Sequence, residues 1–131
     1  MRLVWYVALG GAIGSAARYL IGLSLQSRSG LDFPAGTLLV NLTGCVLLGF
    51  LLRYALATPA VSPEARALLT TGLCGGYTTF STFGYETVAL MEDGEWRRAA
   101  LYVALSVAGS IAGIVLGMAG ARQLLSLRQP F

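Results

Sequence analysis

The chain has 131 residues, 56% of them hydrophobic and 11% charged, with nine basic and six acidic side chains, no histidine and a formal net charge of +3. That balance is far from a soluble domain, and at roughly 20 apolar residues per crossing it holds about four membrane spans, with no room for a soluble catalytic domain. The missing histidine excludes zinc chemistry and a serine–histidine triad, and scattered arginines without a dense basic tract speak against nucleic-acid binding.

The first predicted span covers residues 3–25, LVWYVALGGAIGSAARYLIGLSL, interrupted only by Arg18, and gives way to the polar stretch QSRSGLDFP. Arg2 before an apolar run is reminiscent of a secretory signal, but the run continues past residue 20, so it is retained as a span. The second span covers 36–58 and stops at Pro59. Ser62 is placed to cap the next helix, with Pro63 at its first position. The third span covers 65–91, the hydrophilic EDGE at 92–95 is a tight connection, and the fourth span covers 96–125 before a short RQPF tail. The chain is therefore expected to be a single all-α membrane domain over 1–131, with every loop short.

Small residues recur four apart: Gly10 and Gly14, Gly72 and Gly76, and the ladder Gly109, Gly113, Gly117. This pattern lets helix backbones approach closely in lipid, either within a chain or between chains. Cys45 and Cys74 fall inside apolar runs and read as small hydrophobes rather than a disulfide or a reactive thiol. Arginines divide almost evenly between the two sides: Arg2, Arg53, Arg66, Arg122 and Arg128 against Arg18, Arg28, Arg97 and Arg98. Arginine asymmetry sets orientation, so a chain without it is expected to insert both ways and to pair as an antiparallel dimer.

Span three carries GGYTTFSTFGYET at 75–87, an unusual density of hydrogen-bonding groups for a membrane helix. Two glycines and a β-branched pair lower helix propensity, so residues 75–79 are expected to break the span. Freed carbonyls suit a hard cation and freed amides an anion; a packed kink is the alternative. Phe80 and Phe83, spaced i, i+3, share a face, and phenyl ring edges are positive enough to flank a small anion. Asn41 lies in mid-span two with Thr37 one turn before it, and Tyr102, Ser106 and Ser110 form a hydroxyl stripe on span four; polar groups at similar depths on three spans are expected to line a pathway, Thr37 included. Arg18 and Glu86 are ionisable residues inside spans and so candidates for a vestibule or gate.

GGAIGSAARY at 10–19, NLTG at 41–44 and GLCGGYTTFSTF at 72–83 together resemble the Fluc (CrcB) family of fluoride channels, over essentially the whole chain. The resemblance implies a dual-topology antiparallel homodimer in the bacterial plasma or inner membrane, with two pores that passively export fluoride from the cytoplasm. It further implies a structural, untransported sodium ion held by backbone carbonyls at Gly75 and Thr78. By the same resemblance Asn41, Phe80 and Phe83 line the fluoride pathway, joined by Tyr102, Ser106 and Ser110, with Ile114 where some relatives carry a further hydroxyl. A small multidrug exporter would require a carboxylate in span one, where only Arg18 stands. No enzyme is expected, because no base, nucleophile and oxyanion donors form a set.

Overall fold

A computed structural model describes residues 1–29 and 33–128, with side chains to residue 25 in the first segment. The described residues contain only helices: α1 (Arg2–Ser29), α2 (Ala35–Ala57), α3 (Pro63–Arg66), a π-helical stretch (Ala67–Cys74), α4 (Gly75–Tyr77), α5 (Phe80–Glu92) and α6 (Trp96–Leu127). Residues 2–25, 35–57 and 96–127 are long and apolar enough to cross a membrane as single helices. The third crossing is assembled from two pieces, the continuous helical run 63–77 and α5. Residues 30–32 of the predicted first loop and 129–131 of the RQPF tail lie outside the described residues.

Helix ends follow local chemistry. The Ser62 hydroxyl accepts the Ala65 N–H at 3.1 Å, with Pro63 next in the chain where no amide donor is needed. At the other end of the third crossing, Asp93 N–H bonds Ala89 O and Glu95 N–H bonds Leu90 O, while Gly94 takes φ 78°, the left-handed conformation that closes a helix.

The glycine ladders are consumed inside the chain. A Cβ on Gly14 would lie 2.2 Å from Leu73 O, and one on Gly76 2.5 Å from Gly11 O, so α1 and the run 63–77 touch backbone to backbone. Likewise a Cβ on Gly117 would lie 2.0 Å from Val46 O, and one on Gly49 2.4 Å from Ile114 O. Residue numbers rise together in both pairs, so α1 runs parallel to the third crossing and α2 parallel to α6. This is the arrangement that alternating crossings require. It places Arg2, Arg53, Arg66, Arg122 and Arg128 at one end of the bundle. There Arg128 donates to the Tyr54 hydroxyl at 2.5 Å and lies over its ring, tying the ends of α2 and α6 together.

The break is shorter than the sequence predicts and lies further along. Gly75 and Gly76 remain helical, and only Thr78 (φ −81°, ψ 158°) and Thr79 (φ −149°, ψ 122°) are extended. Gly76 serves close packing against α1, which holds it in the helix against its low propensity, whereas a Cβ on Gly75 would meet nothing within 4 Å. Beyond the break, Leu90, Ala99 and Tyr102 form a buried cluster with Phe33, Leu38, Phe83 and Met91 packed around it. Much of the remaining apolar surface is exposed, as in Trp5, Leu20, Ile111 and Leu116, which suits side chains that face lipid.

Candidate ion pathway and cation site

The break is held by a side chain from another helix. Asn41 Nδ2 donates to Thr79 O at 3.0 Å and Asn41 Oδ1 accepts the Thr79 N–H at 2.8 Å, so one amide satisfies both backbone groups of one residue. Thr79 in turn caps α5: its hydroxyl accepts the Thr82 N–H at 3.2 Å and donates to the Thr82 hydroxyl at 3.0 Å. These bonds solve the membrane's demand that interior backbone be paired.

They also leave carbonyls without their helical partners. In an unbroken helix the Thr79 amide would bond Gly75 O and the Thr82 amide would bond Thr78 O. Both amides are diverted, one to Asn41 and the other to the Thr79 hydroxyl. By the same register the Phe80 and Ser81 amides would bond Gly76 O and Tyr77 O, so the break takes helical partners from the carbonyls of Gly75, Gly76, Tyr77 and Thr78, of which Gly76 O accepts the Ser15 hydroxyl at 3.3 Å. Neutral carbonyl oxygens of this kind are suitable ligands for a hard cation.

On the other side of the break lies a groove of about 340 Å³ between α2, the start of α5 and α6, lined by Asn41, Cys45, Thr78, Thr79, Phe80, Phe83, Ser106, Val107, Ser110 and Ile111. It gathers five of the predicted pathway residues: Asn41, Phe80, Phe83, Ser106 and Ser110. Phe80 is 83% exposed, and its ring centroid lies 5.5 Å from that of Phe83, which tilts in turn against Tyr102 at 5.2 Å. Ser106 is 7% exposed and its hydroxyl has no hydrogen-bond partner, so it holds an unspent donor in the groove wall. Mostly apolar walls with a few neutral donors would offer a small anion only weak replacements for its water.

Thr37 and Tyr102 are drawn elsewhere. The Thr37 hydroxyl donates to Glu86 Oε1 at 2.8 Å, and the fully buried Tyr102 hydroxyl to Glu86 Oε2 at 2.7 Å. Glu86 thus takes two hydroxyl donors rather than an arginine. Arg18 lines a second cavity of about 230 Å³ with Thr37, Thr79 and Thr82, and its Nε has no partner. The hydroxyl stripe ends at Ser110, since the next position one turn on is Ile114, whose backbone packs against Gly49. Sequence reasoning missed the roles of Thr79, Thr82 and Cys45. The Thr-x-x-Thr spacing was a signal for the first two, being the same capping pattern read at Ser62.

Three unbroken apolar helices, a fourth crossing broken in two, and a weakly polar groove at the break define a small multi-pass membrane protein with features of an ion pathway. Residues 5–118 match the family model described as "CrcB-like protein, Camphor Resistance (CrcB)", and the chain belongs to that family. A protein of Chlorobaculum tepidum is 54% identical over 117 residues, covering 89% of this chain and 92% of its own length. One from Aquifex aeolicus is 46% identical over 120 residues (92% and 94%), and one from Rhizobium meliloti 42% identical over 125 residues (95% and 100%). All three are named "Fluoride-specific ion channel FluC". The relatives are channels rather than enzymes.

Proposed function

We propose that the chain is a fluoride-specific channel that passively releases fluoride from the cytoplasm, working as an antiparallel dual-topology homodimer with one pathway along each groove. The observation that carries this reading is the groove itself, where Asn41, Phe80, Phe83, Ser106 and Ser110 meet at the helix break. The names of the relatives supply the ion, and the near balance of arginines between the two ends supports the dual topology.

In this reading Asn41 fixes the break and so places the start of α5, and Phe80 and Phe83 present ring edges to the passing anion. The Ser106 and Ser110 hydroxyls donate to it in place of water. No full positive charge lines the groove, so fluoride is held loosely enough to leave. Thr37 and Tyr102 donate hydrogen bonds to Glu86 in place of water, which lets a carboxylate sit in the membrane interior. Arg18 adds positive potential at the second cavity.

Among the carbonyls freed at the break, those of Gly75 and Thr78 are the ones the family resemblance assigns to a sodium ion shared between two copies. When bound, sodium supplies a fixed positive centre that joins the two breaks, and it is not transported. The test is fluoride efflux from proteoliposomes, followed with a fluoride electrode beside a chloride control. Rapid fluoride loss with retained chloride is expected; no fluoride loss from correctly inserted protein would overturn the proposal.

A further inference from the structure

Three successive residues at the break, Tyr77, Thr78 and Thr79, meet one short stretch of α2. The Thr79 backbone is clamped by Asn41. Two residues further along α2, the Thr43 hydroxyl lies 3.0 Å from the Tyr77 hydroxyl. Thr43 commits its own proton to the carbonyls of Leu39 and Val40, at 2.8 and 3.2 Å, so Tyr77 is the donor of the pair. Gly44 completes the set: a Cβ there would lie 2.3 Å from the Thr78 methyl group and 3.0 Å from the Tyr77 ring. The motif NLTG at 41–44 therefore reaches every residue on which the break turns.

These contacts decide where one carbonyl points. A peptide unit is planar, and in its trans form the C=O and N–H point in opposite directions. Because the Thr79 N–H points at Asn41, the Thr78 C=O of the same unit is turned away from Asn41. Only the φ and ψ of Thr78, −81° and 158°, separate that unit from the end of the helical run at Tyr77. Holding Tyr77 fixes the other end of the link. Packing against Gly44 needs only the ring; the hydroxyl adds a directed bond. Tyr77 and Thr43 line a cavity of about 470 Å³ between α1 and α2 whose other walls include Leu20, Ile21, Leu25 and Leu39. Among such neighbours an unpaired hydroxyl is costly, which favours the pair staying closed.

We propose that Thr43 and Tyr77 are positioning residues for a cation at the break: their hydroxyl pair, together with the Asn41 clamp, holds the Thr78 carbonyl in the direction from which it ligates the ion. The inference rests on the reading of that carbonyl as a sodium ligand. Both side chains act through the Thr78 backbone rather than as ligands. A carbonyl aimed in advance loses little freedom when it binds, so loosening Tyr77 weakens cation binding beyond any effect on the fold.

The experiment is thermal melting of purified full-length protein in detergent across a sodium titration, with choline replacing sodium at constant ionic strength. A ligand that binds only the folded protein raises the melting temperature, and the rise with concentration yields the apparent Kd for sodium. Tyr77→Phe and Thr43→Val each remove one hydroxyl of the pair. Each is expected to weaken sodium at least roughly threefold, the size of one interhelical hydrogen bond in a membrane. The double variant is expected to match either single one, and Thr43→Ser to keep the parental Kd. Variants that melt lower at every sodium level but keep the parental Kd would reduce the pair to packing and overturn the proposal. Additive losses in the double variant would overturn it too. A parent whose melting ignores sodium would instead defeat the cation reading on which the proposal stands.

Discussion

Replacing Asn41 by alanine removes both hydrogen bonds that hold Thr79 in its extended conformation. Two backbone groups are then left without partners in the membrane interior. Each orphaned group costs about 1–3 kcal/mol, so the upper sum is about 6 kcal/mol. Interhelical hydrogen bonds in membranes average only about 0.6 kcal/mol, because the unfolded chain in lipid also finds partners. Between these bounds, a loss of about 2 kcal/mol, roughly 30-fold in the folding equilibrium, is the expected effect. Thr79→Ala leaves the backbone pair intact and removes only the cap, at about 1 kcal/mol. Unfolding of detergent-solubilised protein in fluoride-free buffer measures both. A side chain that acted only as an ion ligand would not affect stability without the ion. Asn41→Ala unfolding at the same point as the parent would refute the clamp.

Phe83→Ile is expected to cut fluoride efflux at least roughly tenfold while the assembly elutes unchanged in gel filtration, because the apolar volume is retained and the ring edge is lost; parental flux would remove the ring-edge role. Gly76→Ala is expected to lower stability by about 1–3 kcal/mol, the usual range for overpacking, since the new Cβ meets Gly11 backbone at 2.5 Å. Gly84→Ala, with nothing within 4 Å, is expected to be neutral or stabilising, and thermal melts showing the reverse order would contradict the packing. Removing sodium is expected to lower the melting temperature and weaken dimers seen by cross-linking, whereas sodium-independent melting would exclude the Gly75–Thr78 cation site.

The crossings were legible because length and apolarity determine them, and Ser62 and Pro63 gave away the start of the third. Phe80 and Phe83 were legible as one face, and the structure places them in one groove. The position of the break was not legible from local propensity. Glycines at 75 and 76 drew the prediction there, but both stay helical, Gly76 in backbone contact with α1, and the residue that clamps the break lies 38 positions away in the chain. The glycine ladders left open whether they packed within or between chains, since a spacing of four does not name its partner. The same limit hid Cys45, whose groove exists only once α2 and α6 lie side by side. Glu86 gave no sign of which donors would reach it, because Thr37 and Tyr102 come from helices before and after it in the chain.

The central claim is passive, fluoride-selective conduction, and the zero-current voltage tests it most directly. With purified protein in a planar bilayer, symmetric chloride and a tenfold fluoride gradient, an ideally fluoride-selective channel reverses at about 59 mV in magnitude, the value for a tenfold ratio of a singly charged ion. The account predicts a value close to that limit. Reversal at zero, or a fluoride flux that carries no current, would contradict it.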